Sequence, residues 1–579
     1  MSNWQEIIDQ RALTRDEAID YLCQSDRRFH KSAIEQHGIT YPVFTHAPGT
    51  VIDMLRQNRA AHGDGLDDYL VYENERWSYD SFCHDVCVLA ERLKSEFGMA
   101  QGDRVAVAMR NFPEMLLLLL AIPAAGGVVV LLNGWWTTSE LEYALDDCGA
   151  KLAFADEERF DRLLPLKESR ALSLVAVRFE QEGFSTYRPE GKTGPVVVHW
   201  PEDAPNPDDD FAIMYSSGTT GEPKGVVLTH RGAVAASYSW LMSAAIAPLM
   251  MDPQTRAQRV VRPQSLLIVT PLFHVTATHP MFLLSIPLGA KVTLMYKWDP
   301  LKAADLIENE QVTRFLGVPT QTEDLLQAIE GSDRNLDTLS FLSSGGAKRP
   351  AAQVKPLQDR FPQAAIASGW GMTETNGLGL GISGPTYLAR PEAAGQPYPC
   401  LQEVKIVDEE GDTLPLGEVG ELTVKSIANM RCYLNKPEAT REVLQNGWLR
   451  TGDLAQMDDE GFVTIVDRKK NIIIRGGENI ACLEVEGALH KHPDIIEAVV
   501  FSVPHARLGE AVGAAVQTGP DASLTEDAVG RFLSEHLAAF KIPAHYWFSS
   551  DPLARGATGK TDRKSIQAAC LSGSETSAS

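Results

Sequence analysis

Tyr215-Ser-Ser-Gly-Thr-Thr-Gly-Glu-Pro-Lys-Gly-Val226 follows the apolar run Phe211-Ala-Ile-Met214, which reads as the end of a buried strand. The stretch carries the hydroxyls of Ser216, Ser217, Thr219 and Thr220, the glycines Gly218, Gly221 and Gly225, and the cation of Lys224. Glycines let successive backbone amides turn into one concavity, and such a nest binds anions. Hydroxyls add donors, and the lysine adds a mobile point charge. The guest these groups suit is a polyphosphate. The stretch is not the common phosphate loop, which needs Gly, Lys and Ser/Thr in succession. Here Glu222 and Pro223 separate Gly221 from Lys224, and Gly225 follows the lysine.

The whole chain bounds the answer. Its 579 residues exceed one ordinary core, so two or more domains are expected. A net charge of −24 leaves no excess of cations to neutralise nucleic-acid phosphates. The eight cysteines are scattered, and Cys83 and Cys87, one helical turn apart, read as buried helix thiols. A reduced, cytoplasmic setting is expected. Met1-Ser-Asn-Trp-Gln-Glu6 lacks the basic start and apolar core of a signal peptide. The apolar run Met115–Leu132 is divided by Pro123 and Gly126-Gly127, so it reads as a buried helix, a turn and a buried strand, not a membrane span.

Apolar periodicity alternates along the chain. Leu13–Ile34 is amphipathic and reads as part of a helical extension over residues 1–45. Strands are expected at Arg104–Met109, from Val128 and at Lys151–Phe154, with helices at Asp80–Phe97, from Met115 and at Ser139–Cys148. A second alternation places strands at Ser265–Val269, Lys291–Met295, Arg314–Gly317, Phe341–Leu342 and Ala364–Ala367. This is the pattern of doubly wound α/β sheets, whose ligands bind at strand ends. After about residue 395 short strands and Gly/Asp turns suggest a small β barrel or sheet. A compact α/β unit closes the chain, and residues 572–579 read as a disordered tail.

The strand ends carry distinctive clusters: Pro271-Leu-Phe-His274, Gly317-Val-Pro-Thr320, Ser344-Gly-Gly-Ala347 and Trp370-Gly-Met-Thr-Glu-Thr375. Gly447-Trp-Leu-Arg-Thr-Gly-Asp453, Asp467-Arg-Lys-Lys470, Arg475-Gly-Gly-Glu-Asn-Ile480 and Ala557-Thr-Gly-Lys560 follow. From about residue 50 to 565 this order resembles the adenylate-forming superfamily, which includes acyl-CoA synthetases, peptide-synthetase adenylation domains and luciferases.

The resemblance implies an α/β enzyme with two doubly wound subdomains and a small β barrel in a large N-terminal, AMP-binding domain (1–469). It also implies a mobile C-terminal domain (470–579). Ser216–Gly221 and Lys224 would hold the phosphates of ATP. Gly345, Gly346 and Ala347 would pass over the adenine. The ring of Trp370, where the family usually has Tyr, would pack on it, followed by Gly371 and Met372. Thr373 would contact the α-phosphate, and Glu374 would help hold Mg²⁺. Asp453 would accept the ribose hydroxyls, and Arg468 would touch ribose and phosphates. Lys470 would be the hinge, and Lys560 the catalytic lysine. Gly476, Gly477 and Glu478 would line the path of coenzyme A. Two departures stand out: Ser426 replaces a usual Gly, and Cys432-Tyr433 replaces a Gly-Tyr pair.

His274 bears on the substrate. Amino-acid-activating relatives carry Asp there to pair the ammonium group, so histidine points away from an amino acid. The reaction implied is ATP-dependent acid–thiol ligation through acyl-AMP. A medium- or long-chain fatty acid is the substrate favoured; an aryl or arylpropenoic acid, or transfer to a carrier protein, is the alternative. The expected partners are acid, ATP and coenzyme A, without nucleic acid or a transmembrane segment, and with a homodimer as a possible assembly.

Overall fold

The computed structural model describes residues 4–62, 68–189, 198–201, 205–216, 223–519 and 522–575. Two large sheets organise the N-terminal part. The first has eight strands. Its parallel centre is built from Arg104–Ala108, Val128–Leu131, Leu152–Ala155 and Ser173–Val177, short Val/Ala/Leu runs buried on both faces. Asp210–Ser216 joins it parallel to Val128–Leu131, and Lys224–Thr229 returns antiparallel beside it. The opening stretch is therefore a strand–loop–strand connection at the end of this sheet. Residues 217–222, with Ser217, Gly218, Thr219, Thr220 and Gly221, lie outside the described residues.

The second sheet has nine strands. Leu70–Tyr72, Lys291–Leu294, Ser265–Ile268, Arg314–Gly317, Phe341–Ser344 and Ala365–Gly371 run parallel, with antiparallel strands at both edges. Both sheets feed one apolar core. Val105, Val107 and Val129 of the first and Leu266, Ile268 and Val292 of the second meet the helices Pro113–Ala124 and His230–Leu249 there. The run Met115–Leu132 is a buried helix ending at Ala124, a turn and a buried strand, as its Pro and Gly positions imply. His230–Leu249 is the one described helix long and apolar enough to cross a membrane, and most of it is buried against this core. Cys83 and Cys87 are buried on the helix Tyr79–Ser95.

A third, small sheet of five antiparallel strands follows (Gln402–Val407, Gly420–Ser426, Leu444–Gln445, Trp448–Met457, Val463–Arg468). Four residues, 469–472, then lead to Ile473–Arg475, the first strand of a last five-stranded sheet with its own apolar core.

The extension differs from its helical reading. Helices span Trp4–Gln10 and Arg15–Ser25, but Lys31–Gln36 pairs antiparallel with Ile39–Phe44. His37 and Gly38 both adopt positive φ (53° and 75°), which makes the two-residue turn of a hairpin and ends any helix. The chain's last helix runs from Arg563 to Glu575, into the segment read as a disordered tail.

Candidate active site

The two strands of the opening stretch place Ser216 opposite Lys224. Ser216 Oγ donates to Glu374 Oε1 at 3.3 Å, and Tyr433 Oη donates to the same oxygen at 2.9 Å. Glu374 is buried, and among the described residues its Oε2 receives no hydrogen bond. The Lys224 ammonium lies 4.8 Å from the centroid of the Tyr433 ring. Burial, and then the carboxylate of Glu374, push the Tyr433 phenol well above its ordinary pKa, so it stays a neutral donor. Tyr433 is a partner of Glu374 to which the sequence assigns no role. Its signal was its place beside Cys432 in a departure from the family pattern.

Trp370 lies one residue before the end of the strand Ala365–Gly371. Its Nε1–H donates to Asp453 Oδ2 at 2.7 Å. The other carboxylate oxygen meets Arg468 Nε at 3.1 Å, because Asp453 and Arg468 are register partners in the third sheet. Burial raises the Asp453 carboxyl, and the Arg468 guanidinium and the indole N–H oppose that rise. Indole thus replaces the lost phenol with a donor aimed at the carboxylate. Thr373 is buried at the start of the turn Thr373–Thr375 that follows.

The third cluster joins the two ends of the chain. His274 opens the short helix Val275–Ala277, and its Nδ1 accepts the Thr276 N–H at 3.3 Å and lies 3.0 Å from Thr276 Oγ1. A backbone N–H can only donate, so the neutral imidazole carries its proton on Nε2. Burial, then the nearby Lys560 charge, hold the His274 pKa down at about 3. Its imidazole is therefore an uncharged Nε2–H donor throughout the neutral range.

Lys560 packs across Gly346: a Cβ at that glycine would stand 2.7 Å from Lys560 Cε and 3.2 Å from Nζ. Any side chain there would push the lysine out. The turn that carries Lys560 is tied to the C-terminal unit, where Glu497 accepts from Arg555 at 2.9 Å and from Thr561 at 2.8 Å. Burial, and then Arg468, lower the Lys560 pKa to about 8. Arg468 therefore couples electrostatically to both Asp453 and Lys560.

Gly476 and Gly477 do not join this assembly. They form the two-residue turn between Ile473–Arg475 and Glu478–Ile480, with φ of 61° and 94°, a conformation suited to glycine. Gly476 N–H donates to Leu508 of the same unit, and a Cβ at Gly477 would meet only open space. Lys470 sits in the link between the last two sheets, where burial and then Arg468 depress its pKa. Asp467, missed in sequence, is fully buried at the head of this link. It accepts the backbone N–H of Arg468 at 2.6 Å and that of Leu483, in the first turn of the helix Cys482–Leu489, at 2.9 Å.

The lowered pKa predicts the reactivity of Lys560. Competitive acetylation across pH, read by peptide mass spectrometry, should show it half-deprotonated near pH 8, against the ordinary 10.5. A midpoint at the ordinary value would place the ammonium in water and dissolve the cluster.

Comparison with known proteins agrees with this arrangement. The family described as "AMP-binding enzyme" matches residues 56–434, and "AMP-binding enzyme C-terminal domain" matches residues 484–560. A long-chain-fatty-acid–CoA ligase of Bacillus subtilis (strain 168) is 32% identical over 83% of this chain and 89% of its own length. A feruloyl-CoA synthase of an Amycolatopsis species is 32% identical over 83% of this chain and 92% of its own. The crystal structure of ATP-bound MatB from Rhodopseudomonas palustris superposes with a TM-score of 0.76 at 26% identity, covering 90% of this chain and 99% of that one. The chain therefore belongs to the AMP-binding enzyme family, as an AMP-forming CoA ligase that uses ATP, Mg²⁺ and coenzyme A.

Proposed function

We propose that the enzyme activates a carboxylic acid with an apolar body of medium length, in two steps run by alternative placements of the C-terminal unit. The observation that carries this reading is Lys560, brought from near the end of the chain onto Gly346, beside a neutral His274.

In the first step the carboxylate attacks the α-phosphorus of ATP, forming acyl-AMP and releasing pyrophosphate. His274 Nε2–H orients a carboxylate oxygen without fixing it as a tight ion pair. Lys560 neutralises charge where the two anions meet, which is where stabilisation lowers the barrier most. Asp453, held by Trp370 and Arg468, accepts the ribose hydroxyls, and Lys224 faces the departing phosphates. Glu374 suits Mg²⁺: it is one buried hard oxygen ligand next to Ser216, where the phosphates would lie, and no group of three or more His, Cys, Asp or Glu forms a cage among the described residues. When bound, Mg²⁺ supplies charge neutralisation on those phosphates.

In the second step the C-terminal unit turns about Lys470, withdraws Lys560 and brings the Gly476–Glu478 turn to the site, where the thiol of coenzyme A displaces AMP. The open position of that turn supports a resting state set for adenylation. Residues 1–469 and 470–579 are the two rigid bodies of this motion.

The acyl body would lie on the second sheet. Ser343, Gly345, Ala367, Gly369 and Gly381 share one face of it and leave an alley of small side chains. The Tyr398 hydroxyl crosses this alley, 2.6 Å from where a Cβ on Gly381 would stand. Trp240 meets the Tyr398 ring edge-on at 6.3 Å. An apolar body fits the fatty-acid and feruloyl names of the two relatives equally.

Lys560→Ala should lower acyl-AMP formation by about a hundredfold or more, the scale of a lost transition-state charge contact. It should leave thioester formation from supplied acyl-AMP near wild type; equal loss of both steps would refute the alternation. Trp370→Phe should raise the KM for ATP about tenfold with little change in kcat, because a hydrogen bond to a buried carboxylate is lost. An unchanged KM would remove the indole from nucleotide binding.

A further inference from the structure

We propose that Arg314 determines specificity at the far end of the acyl channel, and that the acid activated there carries a second carboxylate at the end remote from the one adenylated. The inference rests on the ligase reading above and narrows its substrate.

The strand Arg314–Gly317 runs through the middle of the second sheet. Its side chains alternate between faces. Phe315 belongs to the core behind the sheet, whereas Leu316 faces the channel and comes within 4.0 Å of a Cβ at Gly345. Arg314 stands two residues before Leu316 on that same channel face, about 6.6 Å further from the reacting end. Its register partner is Phe341, and the guanidinium carbon lies 4.1 Å from the Phe341 ring centroid.

This arginine has no acid. Among the described residues it makes no ion pair and no side-chain hydrogen bond. The chain has acids to spare, with a net charge of −24, and several of its inward arginines hold one, whereas the fully buried Arg349 meets no carboxylate among the described residues and bonds the Thr322 hydroxyl at 2.8 Å. Arg178 holds Glu75 and Glu114 at 2.7 Å, Arg159 holds Asp156 at 3.3 Å and Arg450 holds Glu421 at 3.1 Å. The groups that sense Arg314 are the Tyr398 phenol, which is the hydroxyl crossing the alley, and a second cation, Arg259. Arg314 is half-buried, and burial lowers its pKa to about 10, with the Tyr398 phenol opposing the shift. Burial also lifts Tyr398 to about 12, so it stays a neutral donor.

An unpaired guanidinium in a partly dry channel is costly, and an alkyl chain end would leave it so. A carboxylate accepts the planar fork in two parallel hydrogen bonds and takes a third from a neighbouring phenol. From the strand geometry, such a group would sit roughly 7–10 Å beyond the reacting carboxyl.

The test compares matched acids with the full-length enzyme, ATP, Mg²⁺ and coenzyme A: octanoate against octanedioate, and cinnamate against 4-carboxycinnamate. Wild type should favour the diacid of each pair by about tenfold or more in kcat/KM, through KM. Arg314→Met should lower diacid kcat/KM by about 10- to 100-fold while monoacids stay within about threefold, and Arg314→Lys should fall between. A wild-type preference for the monoacids, or equal loss of both members in Arg314→Met, overturns the proposal. The wild-type preference decides the matter even if the variants fold poorly. Turnover of monoacids with no diacid turnover refutes only this inference, whereas no acid-dependent pyrophosphate release with any acid refutes the ligase reading beneath it.

Discussion

The structure turns on one half-buried cation. Lys560 comes from a unit joined to the rest of the chain by four residues, yet its side chain rests on Gly346 in the body of the large domain. Taking an ammonium out of water is unfavourable unless an anion meets it. Its largest charged neighbour, Arg468, has the same sign, and both effects pull its pKa down. The cluster is thus built for a guest that brings negative charge. A polyphosphate and a carboxylate arriving together would stabilise the lysine in place. Loss of pyrophosphate would remove most of that charge and favour withdrawal. The ligands then set the position of the C-terminal unit through their differential charge, which is what a ligand-driven switch requires.

The scaffold keeps this switch local. Two sheets and the helix His230–Leu249 share one core, so the groups around Glu374, Trp370 and His274 stand on strand ends of a rigid body. The last sheet has its own core. Between them, Asp467 spans the link: its carboxylate holds the backbone of Arg468 on one side and the N-terminal turn of Cys482–Leu489 on the other. A carboxylate at a helix N-terminus is favourable in itself. The proposed rotation about Lys470 would have to respect or release that tether, so the link is a defined joint and not a loose linker.

Much of this was legible in the sequence. Runs such as Arg104-Val-Ala-Val-Ala108 and Val128-Val-Val-Leu131 are strands because an apolar segment of that length is satisfied only between two covered faces. The family resemblance singled out Gly346, Asp453 and Lys560, and folding brings Lys560 onto Gly346 and Arg468 onto Asp453. The hairpin Lys31–Phe44 was misread, since amphipathic periodicity in Leu13–Ile34 continued past the true helix end at Ser25 and the His37-Gly38 turn was overlooked. Tyr433 and Asp467 stand inside marked stretches of sequence that do not show their roles, and Arg314 carries no local signature. Each matters through a partner, or the lack of one, that only folding supplies: the carboxylate of Glu374, the N–H of Leu483, and the missing acid beside Phe341.

The central claim is that Lys560 occupies the site for the first step and leaves it for the second. Spin labels at the exposed positions Lys355 and Glu535, one on each side of the hinge, would follow this by pulsed electron–electron distance measurement. With Mg²⁺-ATP alone the account predicts a single distance, the one in the structure. With a non-reactive acyl-adenylate analogue and coenzyme A it predicts a second, distinct population. One unchanged distance under both conditions would contradict the account.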